Sequence, residues 1–132
     1  MSRPRLPRYY ALLAVVSAFL ACSLAGIKQV VPVDADALIK APGTMLIDVR
    51  TPEEYAAGHL EGARLMPLNE LGERLGKMNE GKSTPVVVYC RSGHRSGIGS
   101  AIMKDKGWTE VLNLEGGILA WTAAGLPVIK EK

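Results

Sequence analysis

The sequence predicts an α/β domain built on a mainly parallel sheet. Three observations lead there. Short apolar runs alternate with helix-like runs from residue 28 onward. Val86-Val87-Val88 is an unbroken β-branched run of the kind buried on both faces of a parallel sheet. Most of the helix-like runs stop at a glycine or proline signal. The chain has no internal repeat and no low-complexity segment.

The elements follow in order. A first strand is expected at residues 28–31, then a short helix at 34–40 that ends at Pro42-Gly43. A second strand covers 45–48. Thr51 can cap the next helix, with Pro52 at its first position, Glu53 and Glu54 in its first turn, and Gly58 as its stop. A third strand is expected at 63–66. A helix at 68–78 carries Leu68, Leu71 and Leu75 at helical spacing. The strand at 85–89 is the clearest of all. A helix at 96–106 presents Ile98, Ala101 and Ile102 on one face and ends at Gly107. A strand at 110–113 and a helix at 118–124, closed by Gly125 before Pro127, complete the domain.

Of the 132 residues, 16 are Lys or Arg and 13 are Asp or Glu, for a formal charge of +3. Arg3, Arg5 and Arg8 account for that excess, since no acid precedes residue 26. The remainder is neutral on balance, which gives no support for nucleic-acid binding by the folded domain. Residues 1–26 read differently from residues 27–132. The three arginines come first, an uncharged run from Tyr9 to Ile27 follows, and Ser23-Leu24-Ala25 offers the small residues a signal peptidase reads. A cleaved secretory signal is the first reading. A retained anchor is the second, because the uncharged run is 19 residues long and can just cross a bilayer. The third is a lipid-modified Cys22, for which Ala21 is suitable and Phe19-Leu20 is not. In each case the positive end stays in the cytoplasm and the domain is exported, to the periplasm or another extracytoplasmic space, touching membrane only through this segment.

Cys22 and Cys90 are the only cysteines, and Cys22 lies in the leader. A domain without the leader therefore has one thiol, no internal disulfide and no paired-cysteine metal pattern. His59 and His94 are too far apart in sequence to suggest a ligand set, and no metal or cofactor is expected.

Cys90 closes the 85–89 strand, and the loop Arg91-Ser92-Gly93-His94-Arg95 leads into a helix near Ser96. Ligands bind at the carboxyl ends of strands in such sheets. A tight loop there can turn consecutive backbone amides inward as an anion cradle, and the following helix adds its own amides and dipole. Gly93 permits a turn closed to most residues. Arg91 and Arg95 add positive charge. These features favour thiolate over thiol and make Cys90 a nucleophile. A cysteine at a strand end can also be a small core residue, and a basic loop can be merely solvated. Cysteine, glycine and two arginines within six residues argue for chemistry instead.

This segment resembles the active-site loop of single-domain rhodaneses, C-R-S-G-x-R-S. Two further stretches are similar to the family's other signatures. One is Leu46-Ile47-Asp48-Val49-Arg50-Thr51-Pro52-Glu53-Glu54-Tyr55 followed by Gly58-His59-Leu60-Glu61-Gly62-Ala63. The other is Val111-Leu112-Asn113-Leu114-Glu115-Gly116-Gly117-Ile118 through Trp121, then Gly125-Leu126-Pro127-Val128. The resemblance spans residues 28–128. It implies a five-stranded parallel sheet flanked by helices on both faces, and a Cys90 that cycles through a persulfide. A donor such as thiosulfate would supply sulfane sulfur, and a thiol or cyanide, with a protein thiol among the candidates, would remove it. The amides of residues 91–95 would cradle the anionic outer sulfur, and Arg91 and Arg95 would attract an anionic donor.

Other residues read as supports. Asp48 and Arg50 end a central strand and border the same cleft; Arg50 could pair with Glu53 or Glu54, and Asp48 could accept from the active loop or a helix start. His59 is expected to fix a turn, His94 to tune access or charge, Glu115-Gly116-Gly117 to turn tightly into the last helix, and Trp121 to belong to the core. Cysteine-dependent phosphatases and arsenate reductases use a related loop with five residues between cysteine and arginine, whereas four lie between Cys90 and Arg95. The same loop would also serve a sulfur-carrying or partner-binding module with little turnover, or a thiol-redox protein that borrows a partner's cysteine.

Overall fold

The computed structural model describes residues 26–131. The leader and its Cys22 lie outside the described residues, and among the described residues no helix is long and apolar enough to cross a membrane. The elements are β1 (Lys28–Val30), α1 (Pro32–Lys40), β2 (Met45–Asp48), α2 (Pro52–Ala57), β3 (Arg64–Leu65), α3 (Leu71–Gly76), β4 (Val86–Tyr89), α4 (His94–Asp105), β5 (Val111–Leu114) and α5 (Gly117–Ala123). The five strands form one sheet in the order β1-β5-β4-β2-β3, and every pairing is parallel. The expected α/β architecture is thus the observed one.

β4 lies at the centre because its one polar side-chain atom, the Tyr89 hydroxyl, is satisfied inside the fold by the Leu60 amide at 3.1 Å. Val86, Val87, Val88 and Tyr89 are completely buried, and burying each valine contributes about 1.5–3 kcal/mol. Alternation along the strand divides the core in two. Val86, Val88 and Cys90 face a cluster with Ile47, Val49, Leu71, Leu75 and Met103, under α3 and α4. Val87 and Tyr89 face Val30, Ala35, Leu46, Ile118 and Trp121, under α1 and α5. Helices therefore cover both faces, and Trp121 is a core residue whose Nε1 donates to Pro127 O at 2.9 Å.

Two readings of the helices are corrected. α4 begins at His94 rather than Ser96, so His94 and Arg95 belong to its first turn. Its buried face is Ser96, Gly99, Ser100 and Met103, whereas Ile98 is exposed and Ala101 and Ile102 are only partly buried. The reason is close approach: a Cβ on Gly99 would already lie 3.3 Å from Leu71 and 3.4 Å from Val49. Small side chains win that face, and a hydrophobic count cannot see it. The helix expected at 68–78 is confined to Leu71–Gly76, although Leu71 and Leu75 are buried as the spacing implies.

Candidate functional site: a cysteine ringed by donors

The site forms where the central strands β2 and β4 end side by side, with Asp48 in register with Tyr89. Cys90 follows directly, at the carboxyl edge of the sheet where a parallel α/β fold opens its crevice. The residue is only 1% exposed and packs beside Val88 and Met103. Its sulfur nevertheless meets polar groups: Sγ accepts the Gly93 amide at 3.1 Å and the Ser96 hydroxyl at 3.3 Å. Burial pushes the thiol pKa up, but hydrogen bonds from the Ser96 hydroxyl and from the amides of Ser96, Gly93 and Ser92 outweigh it, leaving the pKa below the ordinary thiol range.

The amides converge because the carbonyls are held elsewhere. Ile118 N donates to Cys90 O at 2.9 Å and Leu119 N to Arg91 O at 3.2 Å. The first turn of α5, whose amides have no partner within their own helix, thus anchors the loop from outside. Gly93 takes φ +101°, a left-handed conformation that suits glycine, and its carbonyl accepts from Gly97 N and from Asn113 Nδ2, each at 3.1 Å. Gly117, at φ +62°, lies directly against this loop: a side chain there would collide with the carbonyls of Cys90 and Arg91. The tight turn expected at Glu115-Gly116-Gly117 is present, and its function is to let α5 reach the loop.

The charged residues are arranged differently from the sequence expectation. Arg50 pairs with neither Glu53 nor Glu54. It grips Asp48, with Nε to Oδ1 at 3.0 Å and Nη2 to Oδ2 at 2.7 Å, and also donates to Gly58 O at 2.7 Å. Asp48 likewise accepts nothing from the active loop or a helix start; its further bonds come from Arg50 as well, from the amide at 2.9 Å and from Nε to Oδ2 at 3.1 Å. Both residues are buried, and a guanidinium taken from water needs its carboxylate at close range. Burial works against the charge, but the bonds to Asp48 prevail and raise the Arg50 pKa.

Glu54 is claimed by Arg95 instead, through paired bonds of 2.7 and 2.9 Å. Glu54 also closes a capping box with Thr51, the α2 cap that the sequence indicated. The Arg95 bond is the chief reason its carboxyl pKa falls to about 2. Arg95 is therefore a balanced charge and not a free cation for an anionic donor. Arg91 is exposed and pairs with no carboxylate among the described residues. It lines a cleft of about 320 Å³ with Arg50, Glu54, Ile118, Leu119 and Val128.

The structure brings Cys90, Ser92, Gly93 and Ser96 around one sulfur. Arg95 sits behind Glu54, and Asp48 and Arg50 form the adjoining wall. His94 is exposed and lies on the far side of the loop, in a recess with Gln29, Asn113 and Glu115. His59 is not among the sulfur's donors. Its ring stacks on Tyr55 at 3.6 Å, its Nδ1 bonds Tyr55 O at 2.7 Å, and its backbone bridges Ile129, all of which fix the turn as expected. Sequence reasoning overlooked Glu54 as the partner of Arg95, Gly117 as the seat of the loop, and Asn113. For Asn113 a signal existed, a lone amide within the apolar run Val111-Leu112-Asn113-Leu114.

A parallel α/β domain with a donor-ringed cysteine at its central strand end defines a cysteine-loop protein built to stabilise a negatively charged sulfur. The Rhodanese-like domain model matches residues 31–124, and the chain belongs to that family. It is 41% identical over 85 residues to a sulfurtransferase of Allochromatium vinosum, covering 64% of this chain and 78% of that protein. A protein of Synechocystis is 37% identical over 103 residues, and there the chain spans only 56% of its relative's length. Among solved structures, a rhodanese with anions from E. coli is 35% identical over 67% of this chain and 99% of that one, with a TM-score of 0.57. At the level of the family, this is a sulfurtransferase-type domain.

Proposed function

We propose that the domain transfers sulfane sulfur through a Cys90 persulfide, with thiosulfate as a competent donor. The Cys90 thiolate attacks the outer sulfur of thiosulfate. A new S–S bond forms, the old one breaks, and its electron pair leaves with sulfite. A thiolate or cyanide then attacks the terminal sulfur of the persulfide, and Cys90 departs as thiolate. Thiocyanate is the product when cyanide accepts. The single observation that carries this reading is the set of donors on Sγ, the Gly93 amide and the Ser96 hydroxyl with the Ser92 and Ser96 amides beside them. They stabilise the thiolate both as nucleophile and as leaving group, the two roles the cycle demands. Arg91, next in sequence to Cys90, exposed and without a carboxylate partner among the described residues, is the positive charge available to an anionic donor.

Cys90 is the only cysteine among the described residues, so a disulfide with a second cysteine of this domain is not open to it. Phosphate chemistry finds less support. The loop is one residue shorter than in cysteine phosphatases, and Arg95, the arginine that would clasp a phosphate, is already paired with Glu54. The test is thiocyanate formation from thiosulfate and cyanide, with intact mass of the thiosulfate-treated protein. Gain of one sulfur atom, absent in Cys90→Ser, is the expected result. An unmodified Cys90 that turns nothing over would defeat the proposal. Export of the domain is also proposed, supported by the order of arginines, apolar run and small residues at its start. The mass of the chain recovered from the secreting cell tests it, by showing where the mature protein begins.

A further inference from the structure

We infer that Asn113 is a positioning residue for the reactive thiol: it clamps the Gly93 carbonyl and thereby aims the Gly93 amide at Cys90 Sγ. Asn113 stands on β5, between Gln29 of β1 and Val88 of β4 in the register of the sheet. It lies two residues beyond Val111, which packs with Val86, Val88 and Cys90, so by the two-residue period of a strand its side chain is on the cysteine's face of the sheet. It is only 3% exposed. Nδ2 donates to Gly93 O at 3.1 Å and to Gln29 Oε1 at 3.0 Å. Both acceptors are oxygens that cannot donate in return, which fixes the amide's orientation. Gly93 in turn sends its own amide to Sγ at 3.1 Å. One residue with a left-handed backbone is therefore held at its carbonyl by β5, beside the helical bond from Gly97 N, and delivers its N–H to the sulfur.

The unpartnered atom points the same way. Asn113 Oδ1 is buried without a hydrogen-bond partner among the described residues. A buried acceptor left unpaired is destabilising, and an aliphatic side chain of the same size, such as the leucines on either side, would avoid that cost. Packing alone therefore does not account for an amide here. What leucine cannot provide is the donor to Gly93.

The inference rests on Cys90 being the reactive thiol, but it is tested without any sulfur donor. Asn113→Leu and Asn113→Thr are compared with the wild-type chain by the pH dependence of Cys90 alkylation with iodoacetamide, alongside thermal melting. Removing the clamp lets the Gly93 amide drift from Sγ, which disfavours the thiolate. The alkylation midpoint should move up by about one pH unit, so that at a pH well below both midpoints alkylation falls about tenfold. The Leu variant should melt no lower than wild type, since it also removes the orphaned oxygen. Threonine suits a strand, but its hydroxyl is too short for the span to Gly93, so it should shift the midpoint likewise. The charged and titratable groups near the loop are left untouched: Arg91 within it, His94 and Arg95 on α4, Glu54 on α2, Asp48 and Arg50 at the end of β2, and Glu115 before α5. A folded variant whose thiol titrates as in wild type would overturn the inference. Because alkylation reads the thiol directly, that outcome is distinct from a failure to transfer sulfur.

Discussion

Two loops leave neighbouring strands at the same edge of the sheet, and they are closed in opposite ways. After β2, Asp48 and Arg50 satisfy each other through side chains, and Thr51 and Glu54 cap α2. After β4, the carboxylate contact is Glu54 on Arg95, beyond the turn at the start of α4. The turn's carbonyls are held from outside by Ile118, Leu119 and Asn113, and its amides gather on one sulfur. A loop whose polar groups answer one another becomes a strut. A loop whose acceptors are occupied by other elements keeps its donors for a reacting atom. The donor arrangement around Cys90 thus draws on contacts from α5 and β5 as well as on the loop itself.

The sharpest break between the two loops is Cys90→Ser, which should abolish thiocyanate formation while leaving the circular-dichroism spectrum and melting temperature close to wild type. Next in size is Asp48→Ala, which acts on the strut alone. It leaves the Arg50 guanidinium buried without its partner, and denaturant unfolding should report a loss of about 3–5 kcal/mol. Gly117→Ala tests the external anchor. Its side chain meets the Cys90 and Arg91 carbonyls, and its backbone is left-handed. A loss of about 1–3 kcal/mol is expected, with sulfur transfer falling further than stability explains because the amide ring is displaced.

The smallest effect concerns the pair that joins the two loops. Glu54→Gln frees Arg95 close to Cys90, and thiosulfate KM should fall while stability changes by at most about 1 kcal/mol, the pair being partly solvated. A KM that rises instead would show Glu54 to be needed for more than charge balance. The same carboxyl gives a pH signature. Its folded pKa, about 2, lies below its ordinary value of 4.5. The ionised form therefore favours the fold: the contribution is complete above pH 4.5, is lost as pH falls toward 2, and should be missing from the melting profile of Glu54→Gln.

Much of this was legible in order along the chain. The β-branched run of β4, the Thr51 cap, the loop from Cys90 to Ser96 and its glycine each show themselves in adjacent residues, and the strand and helix order follows from them. The Ser96 hydroxyl was in view as a loop member, but not as a donor to sulfur. The face of α4 was misread because Gly99 and the serines Ser96 and Ser100 pack where the hydrophobic pattern put Ile98 and Ile102. The exclusive pairing of Arg95 was hidden too, since the acids and arginines near the β2 end offered several equivalent partners.

By itself the sequence determined the sheet, its helices and the position of the candidate cysteine at the end of the central strand, because each follows from the conformational preferences of neighbouring residues. Only the tertiary structure decided which charges cancel and which amides stay free. Arg95 meets Glu54 across 41 positions and Asn113 meets Gly93 across 20. Such pairings depend on which strand ends the folded sheet places side by side, and on which polar groups its burial leaves in need of a partner.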